Sequence, residues 1–338
     1  MIIAKEDKRE GRVLSGIVLY NPEIGRLQEN VAAIAPQVEC LVLVDNGSAN
    51  LEEVCHTFHI EDDRGKLGST DLVLIRNEKN LGIATALNEI LQYALDHDYE
   101  WALTLDQDTI PAGNMIAAYR KVASANQHLG VICCKFRDRH YVTEDESFTC
   151  DRYVYSCITS ASLVYVPAWQ EIGGFDDSMF IDMVDHDFCH RLWKAGWGTY
   201  KTIETEILQE VGSSMHKAKF LGFTASSYNH SPFRYYYRCR NRVYEARRNH
   251  NILVGLSYAL DRSLLIYLVC RYEKQKFAKS VKIIKGAWDG LTCPIAKLEP
   301  RKKNTLTNLR WGGGYNLLII IRIAAAHHFG GEERRVAG

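Results

Sequence analysis

Two carboxylates one residue apart, Asp106 and Asp108, close a short apolar run over residues 101–105. Thr109, Ile110 and Pro111 follow, and a proline cannot donate to a sheet ladder, so a central strand ends there. The pattern reads as a buried strand that delivers an Asp-Gln-Asp triplet to the carboxyl edge of a sheet, where open α/β sheets bind ligands. A buried carboxylate is costly unless it is paired or metal-bound. Two side by side suit a hard divalent cation, because Mg²⁺ takes one or two carboxylates plus substrate phosphates. An acidic turn after a strand would look the same, and the triplet alone leaves both readings open. A second concentration of acids, Asp182, Asp185 and Asp187 with His186, heads a helical stretch that ends near Gly196. A helix N-terminus favours carboxylates, which accounts for at least one of them. Three acids and a histidine exceed what capping needs. Asp182 and Asp185 would share a face if both were helical, and Asp187 would point elsewhere, so at most two can serve one site.

The elements that position these acids follow from the hydrophobic period. Residues 13–20, 40–44, 72–75, 101–105 and 131–134 are apolar runs of strand length. Between them, residues 27–35, 82–98 and 114–125 carry apolar side chains at helical spacing. This β-α-β-α rhythm predicts a mostly parallel sheet flanked by helices. The first strand ends in Tyr20-Asn21-Pro22, the second in Asp45-Asn46 and the fourth in Asp106-Gln107-Asp108. Parallel strands bring all three ends to one edge, where a nucleotide pocket could form. No GxGxxG and no GxxxxGK[ST] occurs, so a phosphate there needs metal, basic side chains or helix N-termini instead.

The chain has 338 residues, 46% hydrophobic and 24% charged, the composition of a globular protein of one large domain with an appendage, or of two domains. Residues 1–12 are charged and carry no apolar core, so no signal peptide is expected. Residues 253–270 are interrupted by Asp261 and Arg262, and 317–325 is short and holds Arg322, so no membrane span is expected either. Ten scattered cysteines without metal-ligand spacing point to reduced cytoplasmic thiols. The net charge is zero, yet residues 231–303 hold 17 Lys and Arg against 5 Asp and Glu. A basic third with apolar helices suits an anionic surface; a solvated basic face is the plainer alternative. No nucleic-acid-binding module is recognisable, and nucleic acid is not expected as a partner.

The pieces, in order, are Val18-Leu19-Tyr20-Asn21-Pro22, Val44-Asp45-Asn46-Gly47-Ser48, the segment from Asn80-Leu81-Gly82 to Asn88, Leu105-Asp106-Gln107-Asp108, Gly173-Gly174-Phe175-Asp176, the segment from Phe180-Ile181-Asp182 to Asp187, and Asn229-His230-Ser231-Pro232-Phe233-Arg234-Tyr235-Tyr236. Together they resemble a family-2 glycosyltransferase of the GT-A fold, and within it the bacterial rhamnosyltransferases. The resemblance spans about residues 13 to 245. It implies a GT-A, Rossmann-like domain over residues 1–245 and a helical, basic region over 246–338 for membrane docking or oligomerisation. It implies that Tyr20, Asn21 and Asp45 hold the base and ribose of a nucleotide sugar. Asn80 and Gly82 would open a helix over the nucleotide, and Asp106, with Gln107 beside it, would contact the donor. Asp108 and His230 would be the metal ligands, for Mg²⁺ or Mn²⁺. Asp185 would be the catalytic base, with Asp187 the alternate. His230 could equally be a structural residue beside the tyrosine cluster 235–237, and the arginines at 234, 238, 240 and 242 could grip a polyanion or line an amphipathic helix. Two departures stand out: Ser160-Ala161 replaces a common Ser-Gly, and the continuation of 286–291 into 292–296 does not match the rhamnosyl subgroup.

The implied reaction is an inverting transfer of L-rhamnose from dTDP-L-rhamnose to a hydroxyl of a lipid-linked or polysaccharide acceptor in cell-surface glycan synthesis. The protein would be cytoplasmic and peripheral on the inner face of the membrane, with homo-oligomerisation as the competing use of the C-terminal helices. A carboxylate base and a metal-stabilised leaving group suffice for direct displacement, and no nucleophilic Ser or Cys arrangement is evident. The alternatives are another UDP- or dTDP-hexose donor, a sugar-phosphate nucleotidyltransferase, or a non-catalytic nucleotide-sugar scaffold. The nucleotidyltransferase needs a Gly-rich basic loop after the first strand, which Tyr20-Asn21-Pro22 does not supply.

Overall fold

The computed structural model describes residues 11–138, 148–209, 216–220, 223–227, 229–250 and 252–304. The apolar stretch 317–325 lies outside them. The chain opens with β1 (Val13–Leu19), α1 (Ile24–Ile34), β2 (Cys40–Asp45), α2 (Leu51–Thr57), β3 (Arg64–Leu67), β4 (Thr70–Arg76) and α3 (Ile83–Asp96). It continues through β5 (Trp101–Asp106), β6 (Ile110–Pro111), α4 (Met115–Ala125), β7 (Leu129–Asp138), β8 (Arg152–Val154), β9 (Ser162–Tyr165), α5 (Val166–Glu171), α6 (Val184–Lys194) and β10 (Gly198–Gln209). A hairpin of β11 (His216–Phe220) and β12 (Phe223–Ser227) precedes three helices, α7 (Pro232–Asn249), α8 (Ile252–Tyr272) and α9 (Lys276–Thr292).

The large sheet runs β3-β4-β2-β1-β5-β9-β7-β10-β6, with β8 paired to β10. Its first half is the predicted parallel core: β1 lies between β2 and β5, and β4 pairs with β2, all parallel. The second half is not. β9 runs antiparallel to both β5 and β7, while β3, β6 and β8 are short antiparallel edges, so the sheet is mixed. Short antiparallel strands need no crossover helix; residues 159–166 read as a strand in the sequence, but their antiparallel direction leaves no mark in the β-α rhythm.

Alternation along each strand sends side chains to two separate cores. Ile17, Leu19, Leu41 and Leu43 pack with Leu27, Val31 and Ile34 of α1 and Tyr119 of α4. Leu14, Val18, Val42 and Val44 pack on the other face with Ile90 and Leu91 of α3 and Phe188 of α6. α3 sits close on β1 because Gly16 has no side chain; a Cβ there would meet Ile90 at 2.4 Å. A third, smaller core of Tyr235, Cys239, Leu265, Val269 and Ile283 joins α7, α8 and α9. Pro232 opens α7 at a position where a missing N–H costs nothing, and the Ser231 hydroxyl accepts from the Arg234 amide.

Candidate active site

Three strand ends meet as the sequence suggests. Leu19 pairs with Asp45 across β1 and β2, and Val18 pairs with Asp106 across β1 and β5. Tyr20, Asp45 and Asp106 therefore stand side by side at the carboxyl edge. Each turn there is tied by its own polar groups. The buried Asp45 carboxylate accepts from the amides of Gly47 and Ser48. Asn21, at φ 47°, takes the Ser48 hydroxyl on its amide and receives the Ala49 amide on Oδ1. Gln107 closes a two-way bond with the backbone of Tyr20, accepting from its amide at 2.8 Å and donating to its carbonyl at 3.3 Å. The Tyr20 ring is left exposed.

Asp106 is held from several sides. Its amide donates to Ser160 Oγ, its carbonyl accepts from Asn30 Nδ2, and its carboxylate accepts from Gln209 Nε2 at 3.2 Å. Ser160 and Ala161 are both buried, and Ala161 adopts φ 57°, the left-handed conformation that glycine favours. Its carbonyl accepts from the Tyr119 hydroxyl at 2.6 Å and its amide donates to Thr104 at 2.7 Å, so hydrogen bonds hold an alanine there. The Ser-Ala departure is thus absorbed without losing the Asp106 anchor.

The second acid group comes to the same edge through a constrained loop. Phe180, Asp182 and Met183 all have positive φ, at 55°, 64° and 65°. Asn241 of α7, fully buried, aims its Nδ2 at the carbonyls of Met179, Ile181 and Asp182 at 2.5, 2.8 and 2.9 Å. Gly82, at φ 91°, admits the loop against the start of α3; a Cβ there would lie 2.7 Å from Phe180 Cα, and the Ile83 amide donates to the Phe180 carbonyl. Asn80 Oδ1 accepts from the Gly82 amide and from Asn46, so Asn80 and Gly82 form a brace at the head of α3. Asp182 is not helical, so the condition under which it would share a face with Asp185 is not met. It precedes α6 and makes a two-pronged ion pair with Arg234, at 3.2 Å to each oxygen.

Asp185, in the first turn of α6, lines a small cavity with Thr104, Thr159, Cys157 and Phe188. Thr104 lies two residues before Asp106 on β5, so the base candidate and the acid pair share one region. The electrostatics agree. Burial, with the negative charges of Asp108 and Asp185, raises the Asp106 carboxyl to about 6 against the opposing effect of Gln209 and Arg234. Burial also raises Asp185 above the ordinary carboxylate value, against the His186 amide that Asp185 Oδ1 accepts. Asp187 goes elsewhere. It is fully buried and pairs with Arg191 at 2.8 Å and Arg248 at 3.5 Å, with Asn249 on its other oxygen.

His230, half-buried beside the Tyr235 ring, is pushed down to about 4 by burial and by Arg234 and Arg238, so its imidazole is neutral at pH 7. No three of Asp106, Asp108, Asp185 and His230 lie close enough to ligate one ion unaided; among the described residues such a trio occurs at His190, Glu245 and His250. A cation that takes most of its ligands from diphosphate and water needs no protein cage. Half-buried oxygen ligands whose mutual repulsion shows in Asp106 fit such a hard cation. A cavity of about 660 Å³ lies at the opposite edge among Arg12, Cys40, Arg64 and Tyr99, where strands begin, and is lined by none of these acids. Gln209 and Asn241 carry no sequence signal; each acts through a contact distant in sequence.

Residues 16–172 match the model of Glycosyl transferase family 2. The chain is 25% identical over 295 residues to the dTDP-rhamnosyl transferase RfbF of Shigella flexneri, covering 81% of this chain and 94% of that protein. Among solved structures it resembles S. aureus TarS 1–349 in complex with UDP-GlcNAc, with a TM-score of 0.55 at 13% identity over 83% of this chain and 81% of that one. It also resembles GalNAc-T7 with UDP, GalNAc and Mn²⁺, with a TM-score of 0.52 at 13% identity over 79% of this chain, and spans 58% of that chain's length. The chain is thus a relative of the family-2 glycosyltransferases that resembles the rhamnosyltransferases, and its α/β architecture is that of the GT-A fold with a mixed sheet.

Proposed function

We propose, from the premise that this chain is kin to the family-2 glycosyltransferases, that it transfers a sugar from a nucleotide-sugar donor to an acceptor hydroxyl with inversion. We take the sugar to be L-rhamnose from dTDP-L-rhamnose, a choice supported by the relationship to RfbF over nearly its whole length. The observation that carries the reading is the meeting of Asp106 and Asp108, from the end of β5, with Asp185, from the start of α6.

Each residue then has a task. Tyr20 offers an exposed ring for the base, and Asp45 can accept the imide N–H that thymine and uracil both carry. Asn21, Asn80, Gly82 and Gln107 fix the turns that frame the nucleotide. Asp108, with Asp106, would hold a Mg²⁺ or Mn²⁺ ion, His230 serving as a further ligand to the metal or the diphosphate. When bound, such an ion neutralises charge on the leaving diphosphate. Asp185 takes the proton from the attacking hydroxyl. Burial makes it a stronger base than an exposed carboxylate, and general-base help is worth roughly 10²–10⁴-fold. Asp187 is bound to two arginines and is assigned to stability, leaving Asp185 as the base.

The acceptor is lipid-linked or a polysaccharide. α9 supports the lipid-linked choice: Phe277, Val281, Ile284 and Trp288 recur at helical spacing and stay exposed, Phe277 by 84% and Trp288 by 65%. Exposed Lys274, Lys276, Lys282 and Lys285 flank that stripe. Apolar anchors among lysines suit docking on an anionic bilayer, and no helix among the described residues is long and apolar enough to cross one. Flotation with acidic vesicles should carry the protein and neutral vesicles should not; equal behaviour would refute docking. The donor is tested by thermal stabilisation with dTDP-, UDP- and GDP-sugars, each with and without Mg²⁺ or Mn²⁺, followed by transfer assays. A metal-dependent response greatest for dTDP-rhamnose is expected. A response to UDP-sugars alone would replace rhamnose, and no response to any would reject the function.

A further inference from the structure

We propose that His190, Glu245 and His250 form a binding site for one transition-metal dication, zinc foremost, distinct from the acids at the strand ends. The three residues each offer a ligand atom, and these atoms all lie within 4.8 Å of one another. Two imidazoles and a carboxylate are a zinc ligand set that leaves a fourth position for water. His190 projects from α6, five residues beyond Asp185, while Glu245 and His250 come from the last turn of α7 and its cap. The exposed His250 ring gives the ion an entry path, and the other two ligands are buried.

Charge gives the reason. Glu245 is a buried carboxylate, and among the described residues its salt-bridge partner is His190, 3.0 Å away. Glu245 Oε1 also accepts from the neutral Asn249 side chain, so the carboxylate sits between an imidazole and an amide. The nearest lysine, Lys194, donates to the backbone carbonyl of Asn249 instead. Buried carboxylates are paired or coordinate metals, and a dication held by the three converging ligand atoms would pair with Glu245.

The surroundings suit a second shell. The Tyr155 hydroxyl lies 2.6 Å from His190 Nε2, and Asn249 Nδ2 donates to Glu245 Oε1. With the ring proton on Nδ1, His190 donates to Glu245, and its Nε2 accepts from Tyr155. On metal binding the ring proton moves to Nε2, which donates to the Tyr155 oxygen, and Nδ1 gives its lone pair to the ion. The half-exposed Tyr155 hydroxyl turns its own proton to water, so no net proton is released. Such an N–H contact fixes the ring of a metal-bound histidine. The ion would fasten the segment before β9, helix α6 and the end of α7 together, and so steady the helix that bears Asp185.

The test uses chelator-stripped full-length protein titrated with Zn²⁺ alone, without nucleotide sugar, followed by calorimetry and thermal melting, and with Co²⁺ for visible absorption. One equivalent should bind, raise the melting midpoint and give the intense visible bands of tetrahedral Co²⁺. His250→Ala, at an exposed position, should keep the fold and lose all three signals. Tyr155→Phe should weaken Zn²⁺ by about 10-fold or more. Asp108→Asn should bind Zn²⁺ as the parent does, which separates this site from the donor site whatever the donor panel gives. Absence of stoichiometric binding, or binding unchanged in His250→Ala, would overturn the proposal.

Discussion

Asn241→Ala is the perturbation that bears most on how α7 controls chemistry it does not touch. The Asn241 amide nitrogen faces three loop carbonyls within 2.9 Å. It has two hydrogens, so two full bonds act at a time. At roughly 0.5–1.5 kcal/mol net each, removing them costs about 1–3 kcal/mol, with buried carbonyls left unanswered. Opposing the tie are three non-glycine residues at positive φ, each storing strain of order 1–3 kcal/mol. Over three residues the strain, about 3–9 kcal/mol, exceeds the tie, so the loop relaxes when the tie is lost. The relaxation shifts the start of α6, and with it Asp185. A misplacement near 1 Å costs roughly 10²-fold in rate. Urea unfolding should report the stability loss, and steady-state transfer should show kcat falling about 10²-fold. Donor affinity should change by only a few-fold, since Asp45 and Asp106 sit on strands that the substitution leaves alone. A variant that loses stability yet keeps its full kcat would refute the link between Asn241 and the base.

Three further outcomes follow from the same geometry. Asp187→Ala leaves the buried Arg191 without its carboxylate and Arg248 with Asp176 alone, and should cost about 3–5 kcal/mol in denaturant unfolding, while the molecules that remain folded keep kcat within a few-fold; a stable but inactive variant would make Asp187 catalytic. Gly82→Ala forces a Cβ to 2.7 Å from the Phe180 backbone at φ 91° and should lower stability by roughly 1–3 kcal/mol, read as an earlier urea midpoint. The buried Asp176 carboxyl sits below its ordinary value: burial opposes this, but the Ser178 amide, the Tyr244 hydroxyl and Arg248 together outweigh it. An acid depressed in the folded state stabilises it above its unfolded pKa and loses that contribution as pH falls through the folded value. The stability gap between the parent and Asp176→Asn should therefore be constant at neutral pH and shrink below about pH 4; a gap that widens on acidification would contradict the assignment.

The parallel half of the fold was legible because period and strand ends coincide there. The continuous apolar runs of β1 and β2, buried on both faces, and the helical spacing of α3 mark these elements, and Asp45 and Asp106 fall where strands stop. The second half was less so. β10 alternates incompletely, since both of its faces are partly covered, and β3, β6 and β8 are too short to impose a period. Within the site, Asp106, Asp108 and Asp185 could be named because their types carry the chemistry. The difference between Asp185 and Asp187 could not, because it depends on Arg248 and Asn249, some sixty residues away, closing over Asp187. Asn241 gave no local signal, since its role exists only once α7 lies against the 179–182 carbonyls. The left-handed Ala161 was visible in the sequence as a departure, but its remedy, the Tyr119 hydroxyl, was not.

The most direct measurement compares Asp185→Asn and Asp108→Asn for dTDP-rhamnose binding, with and without Mn²⁺, and for turnover. The account predicts that Asp185→Asn retains metal-dependent donor binding and loses transfer, whereas Asp108→Asn loses the metal-dependent part of binding. Transfer surviving in Asp185→Asn, or donor binding in Asp108→Asn that responds to Mn²⁺ as the parent does, would contradict a single site built from the two acid groups.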